Sequence, residues 1–237
     1  MNLLKILIGT IPLILLSGCS NPADDVPAAS VGKASKFATN TAPPPVAGDR
    51  YFVFGTNSST IQFVGSKVTG SHNGGFKHFA GEFKVLDGKL ADSGNKVVMD
   101  INSTWADSDR LAGHLRSPDF FDAAKYPTAT FVSTEIRPSG DAATVTGDLT
   151  LHGITKSISF PAKIQVGETG VQLAAEFFLN RLDFGIKYPG KANDLIRKEV
   201  VLKLNINATP GRAGFAAVEP AAQAGTASSQ AAASAAR

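Results

Sequence analysis

Between His114 and Phe131 the sequence HLRSPDFFDAAKYPTATF sets His114, Arg116, Asp119, Asp122 and Lys125 among Phe120, Phe121, Tyr126 and Phe131. A histidine close to carboxylates is the raw material of proton transfer. An arginine offers a planar fork for phosphate or carboxylate. The stretch therefore points to one of two chemistries: acid–base work, or capture of a polar head group by His114 and Arg116. Local pairing competes with both. Arg116 is within reach of Asp119 or Asp122, and His114 of a backbone group, and such pairs are the usual fate of surface charges.

The rest of the chain does not extend the first chemistry. No G-x-S-x-G elbow is present, and no pair of carboxylates is marked out for acid–base work. His72, His78, His114 and His152 show no metal-ligand spacing. We therefore expect a protein that is not an enzyme and that holds neither a metal nor a cofactor. With 23 Lys and Arg against 20 Asp and Glu, the net charge is +3. No basic run interleaves with aromatics, so a nucleic-acid partner has no electrostatic support.

A different chemistry sits near the N-terminus. Cys19 is the only cysteine of 237 residues. It ends the run LSGC, after one early charge, Lys5, and an apolar stretch from Ile6 to Leu16. At about 1.5 Å per residue that stretch covers only about half a bilayer core, as an export signal does. LSGC resembles the lipobox of bacterial lipoproteins, in which the cysteine becomes the acylated first residue. The expected organisation is a signal peptide at 1–18 and a lipid-anchored flexible linker at 19–49, rich in Pro, Ala and Ser. A folded domain then spans 50–208, and a disordered Ala/Ser-rich tail spans 209–237. Ser20 and Asn21 after the cysteine point to the periplasmic side of an outer membrane.

What must position the charged stretch is sheet. Ile61 and Phe63, then Phe79, Phe83 and Val85, then Val97 and Met99, alternate with polar residues. Val145, Leu149 and Leu151, then Ile158 and Phe160, then Leu173 and Phe177, then Leu202, Leu204 and Ile206 do the same. Asn73-Gly74, Asp87-Gly88, Ser139-Gly140 and Gly167–Gly170 read as turns. About eight antiparallel strands, each with one apolar face and no long helix to cover it, must face one another as a sandwich or a closed barrel. A barrel of that size is either filled by side chains or holds one small ligand, and alternation does not separate the two. The charged stretch then reads as a loop with two short helical turns, one capped by Asp109 and one from Asp119 to Ala124. Phe120, Phe121 and Tyr126 would plug a barrel end. Arg181 and Asp183 read as a pair pinning the last connection, and His152 as a turn residue.

Three stretches together, HLRSPDFFDAAKYPTATF, GDLTLHGITKSISFPA and FLNRLDFGI, resemble the YceI family of periplasmic or secreted lipocalin-like proteins, described as polyisoprenoid-binding. The resemblance spans nearly all of 50–208. It implies an all-β, elongated eight-stranded antiparallel lipocalin-like barrel with short helical turns in one loop. It also implies an apolar tube holding an isoprenoid or quinone-type lipid, without catalysis. The expected ligand-binding residues are Phe63, Phe83, Met99, Phe131, Leu149, Phe160 and Phe177, with His114 and Arg116 at the mouth, and lipidation falls on Cys19. Expected partners are a lipid or isoprenoid molecule and the membrane; a homodimer is compatible with the sequence. The alternative is a non-catalytic envelope protein with a filled barrel.

Overall fold

The structure, a computed structural model, describes residues 21–35 and 49–213. Cys19, the signal peptide and most of the tail lie outside the described residues. The first strand, β1 (Ser30–Lys33), precedes the barrel proper. The first stave is β2 (Arg50–Gly55) continued by β3 (Thr60–Lys67). The second is β4 (Gly70–Phe76) with β5 (Phe79–Leu86). A short β6 (Lys89–Leu90) returns on β5, and β7 (Lys96–Asp100) with β8 (Thr104–Ala106) makes the third stave. After the helix α1 (Asp109–Arg116) come β9 (Thr128–Ser139), β10 (Ala142–Leu151), β11 (Ile154–Val166) and β12 (Val171–Asn180). A two-residue β13 (Gly190–Lys191) then turns into β14 (Asp194–Pro210), which pairs with both β12 and the first stave. Eight staves in sequence order, each antiparallel to the next, thus close into a barrel. This is the expected fold.

Alternation works as read. Phe52, Phe54, Phe63, Phe83, Val145, Phe160, Phe177 and Ile206 all join one buried core. The rings fit because glycine faces them across the ladder. A Cβ on Gly74 would lie 2.4 Å from the ring of its pair partner Phe63, and one on Gly81 2.0 Å from that of Phe54. A Cβ on Gly147 would meet Phe131 at 2.3 Å. Asn73-Gly74 is therefore not a turn but the middle of β4; the chain reverses at Val68-Thr69 instead. The sequence signal was genuine, but the glycine serves close approach rather than positive φ. Asp87-Gly88 (φ 49° and 74°) and His152-Gly153 (φ 52° and 72°) are left-handed hairpin turns. Gly81→Val should lower stability by about 1–3 kcal/mol through forced displacement of Phe54. Gly65→Ala, with nothing within 4 Å of its new Cβ, should change little. Urea denaturation of both variants checks the contrast.

The segment expected to be a flexible linker is in part a strand. Ser30–Lys33 pairs antiparallel with Ser159–Lys156 of β11, and Ala28 bridges parallel to Phe178 of β12. β11 and β12 pair only from Lys163 to Val166 and then part, and the N-terminal segment occupies the seam. Ser35 N–H reaches both carboxylate oxygens of Asp148, at 3.0 and 3.1 Å. Ala23 is buried against Val64 and Val201 on the outer wall. Two parted strands leave unpaired backbone groups, and the segment satisfies them; its small residues gave no periodicity to read. At the other end the domain runs past 208. Thr209 and Pro210 pair with β2, and Arg212 lies 3.6 Å over the Tyr51 ring and 3.3 Å from Glu82. Removing residues 21–35 should cost about 2–4 kcal/mol, roughly 5–15 °C in melting temperature. A melt equal to that of the parent chain would show the seam strand to be dispensable.

Candidate functional site

One end of the barrel carries the charged stretch 107–127, and its construction starts at a gap. Beyond Asp100 the third stave leaves β9, through a 3-10 turn at Ile101–Ser103. The segment 107–127 fills that gap. Ser108, not Asp109, caps α1, accepting Leu111 N–H. The second helical turn is not a helix. Phe121 N–H bonds Leu115 O, Asp122 N–H bonds Ser117 O, and Asp122 takes φ 48°. This knot of turns aims Phe120 and Phe121 inward. Phe121 packs 6.2 Å from Phe63 and 6.1 Å from Phe76.

Behind these rings lies a cavity of about 150 Å³ whose lining surface is wholly apolar, framed by Phe63, Met99, Ala129, Leu149, Phe184 and Leu202. Outside them is a mouth groove of about 330 Å³, whose wall includes Lys67, His72, Arg110, His114, Tyr188 and Lys191. Phe63, Leu115 and Phe120 line both, so a single layer of side chains separates groove from cavity. Deeper in the barrel Phe160 stacks on Phe177 at 4.2 Å and 12°, with Phe131 at 5.8 Å from Phe160. Past that waist a second apolar space of about 60 Å³ is lined by Phe83, Phe131 and Phe160 and shares no lining residue with the first. Among the described residues a packed waist thus separates these two apolar spaces.

The expected ligand-binding residues are therefore divided. Phe63, Met99 and Leu149 line the chamber beside the mouth. Phe83, Phe131 and Phe160 line the far one, and Phe177 forms the waist. His114 faces the groove; its Nε2 is 2.9 Å from Asp119, and its ring meets Tyr188 and Phe120 edge-on at 5.0 Å each. Arg116 does not face the groove. Its Nη1 donates to Thr104 O at 2.7 Å and ties α1 to β8. The cations in the groove wall are instead Lys67, Arg110 and Lys191, which no motif surrounds. Tyr126 packs on His152 at 4.9 Å and covers Gly153. It seals the β10–β11 turn rather than the cavity.

The opposite rim is a clasp. Arg181, nearly fully buried, does not pair with Asp183. It donates to the carbonyls of Ile186 (2.6 Å), Arg197 (3.0 Å) and Ile196 (3.3 Å). Burial lowers its pKa from the ordinary arginine value, and the carbonyls offset the lost hydration. Asp194 accepts from Lys67 and from Thr69, joining the β13–β14 hairpin to the β3–β4 turn. The Lys67 bond leads in holding its carboxyl below the ordinary 3.8. The clasp is thus intact above that value and lost only as pH falls through the lowered one. Among the described residues no three His, Cys, Asp or Glu side chains converge as a metal site.

A closed up-and-down barrel with an apolar chamber behind an aromatic plug defines a lipocalin-like protein. The chain belongs to the YceI-like family, whose domain model matches residues 52–208. It is 38% identical over 135 residues to a UPF0312 protein of Pseudomonas putida, covering 54% of this chain and 70% of that one. It is 41% identical over 97 residues to Protein YceI of Escherichia coli O157:H7, covering 38% and 51%. Among solved structures it resembles Burkholderia cenocepacia BcnA, with a TM-score of 0.58 and 26% identity over 64% of this chain and 96% of that one. It shares its fold with a polyisoprenoid binding domain from Saccharophagus degradans, with a TM-score of 0.56 and 19% identity over 68% and 99%.

Proposed function

We propose that the protein binds the chain of an isoprenoid or quinone-type lipid in the chamber beside the mouth, and that it does so in the cell envelope, anchored through an acylated Cys19. The observation that carries the reading is the chamber itself: about 150 Å³ with no polar lining surface, one side-chain layer from a groove with cationic walls. A dry apolar space favours hydrocarbon over water. The polyisoprenoid-binding description of the Saccharophagus degradans domain supports the ligand class. Binding sites for small molecules usually measure about 300–1,000 Å³. The chamber at rest is smaller, and a chain enters it as Leu115, Phe120 and Phe121 swing out. Holding a lipid for transport, storage or protection uses the same step.

Native mass spectrometry of protein extracted gently from membranes tests the reading, with a co-purified lipid expected. Ala129→Leu places extra carbons in the chamber wall. It should abolish co-purification while leaving the fold intact, because the added volume enters a void. A parent protein that emerges empty and refuses quinones and polyprenyl lipids at micromolar concentration sinks the ligand; Cys19→Ser protein that keeps its acyl mass sinks the anchor. The filled-barrel alternative draws its support from the Phe160–Phe177 stack and predicts an empty parent.

A further inference from the structure

We propose that the rim made by the β3–β4 turn and the β13–β14 hairpin is a docking surface for a lipid bilayer containing anionic lipid. Among the described residues the exposed large apolar side chains are Val68 at 54%, Leu195 at 50%, Leu182 at 42% and Leu86 at 39%. The first three stand at the mouth end, and only Leu86 lies at the far one. Val68 and Leu195 are neighbours, since Val68 N–H donates to Leu195 O at 3.2 Å.

Charge says what the rim faces. From Ile186 to Glu199 the chain carries Lys187, Lys191, Arg197 and Lys198 against two carboxylates, Asp194, which Lys67 already holds, and Glu199, 3.9 Å from Lys198. Of the other acids of this end, Asp183 adjoins the rim, next to Leu182, while Asp107, Asp109, Asp119 and Asp122 belong to the segment across the groove. Exposed aliphatic side chains ringed by cations, on a rim held rigid by Arg181, match the headgroup boundary of an anionic membrane. The path of the chain agrees. Ala23 packs against Val64 and Val201, on the two strands whose ends form the rim, and it lies four residues after Cys19. The groove shares Lys67, Lys191 and Asp194 with the rim, so docking brings the opening to the headgroups. None of this depends on what fills the chamber.

Vesicle co-sedimentation tests the proposal on the chain from Ser20 to Arg237, which holds every described element and no acyl group. Phosphatidylcholine vesicles, with or without phosphatidylglycerol, serve as the probe. We expect binding to the anionic vesicles alone, weakened by salt. It should fall roughly tenfold or more in Val68→Asp/Leu195→Asp and in Lys191→Glu/Lys198→Glu, and stay unchanged in Leu86→Asp. Equal binding to both vesicles, no binding to either, or rim variants that bind like the parent would overturn the proposal. This chain holds no cysteine, so a spin label on Val68→Cys reads the geometry without charge changes. It should become oxygen-accessible and water-shielded on anionic vesicles, while one on Leu86→Cys stays aqueous; a Val68 label that stays aqueous on bound protein also overturns it. An empty chamber with intact docking would remove the ligand reading and leave this one standing.

Discussion

Phe177→Asp should abolish the cooperative unfolding transition and leave the protein insoluble or molten. Phe177 is 1% exposed and lies flat on Phe160 at the waist, where the staves β11 and β12 still pair nearby. Truncating a buried Phe costs about 3–5 kcal/mol by itself. A carboxylate there adds the cost of a buried, unpaired charge or of the proton that neutralises it. Together these approach the roughly 5–15 kcal/mol that holds a typical domain folded. Phe177→Leu keeps most of the apolar volume and should fold, with a loss of about 1–3 kcal/mol. Circular dichroism and urea titration separate the two variants. A Phe177→Asp protein that melts like the parent would mean that water reaches the waist, and the two chambers would then be one open tube.

Arg181→Ala should destabilise the domain by about 3–5 kcal/mol. The guanidinium serves three carbonyls on two segments of the last connection, and each acceptor left unpaired costs about 1–3 kcal/mol to the extent that it stays dry. Arg181→Lys should rescue little, because one ammonium does not reproduce the planar fork. Arg137→Ala is the internal comparison. Its ion pair with Glu135 lies in the open, with the arginine side chain 74% exposed, and its loss should change stability by less than about 0.5 kcal/mol. Hydrogen exchange should localise the Arg181 effect to 186–197. Equal stability of the Ala variants at 137 and 181 would refute the clasp.

The barrel was legible because its staves obey a two-residue period, and because antiparallel hairpins make neighbours in sequence neighbours in space. The plug was legible in outline, since Phe120 and Phe121 had nowhere polar to go. Partners of charges were less so. His114 took Asp119 and Arg116 took a backbone carbonyl, a choice set by how α1 lies on β8, which residue types do not encode. Arg181 beside Asp183 reads as one half of an ion pair because arginines usually find acids; a tight loop offers it carbonyls instead. The seam strand stayed hidden for another reason. Ser30–Lys33 carries no alternation, and its need arises only because β11 and β12 part more than a hundred residues later. Asn73-Gly74 shows the same limit in small: glycine marks an unusual demand, and only the ring across the ladder says which.

The seam strand also sets an order of events. Synthesis delivers residues 21–35 first, yet their partners come late; Ser35 and the Asp148 that receives it are 113 residues apart. Loop closure over such a distance is slow, and local hairpins form first. The meander β9–β10–β11, knit by short turns, is the natural early unit, and the earliest-made strand is among the last to be placed. Until then β11 and β12 keep open edges, able to accept the same strand from another molecule. Crowded, half-made chains should therefore exchange N-terminal strands, and slow dilution should be the gentlest route to recovering single barrels.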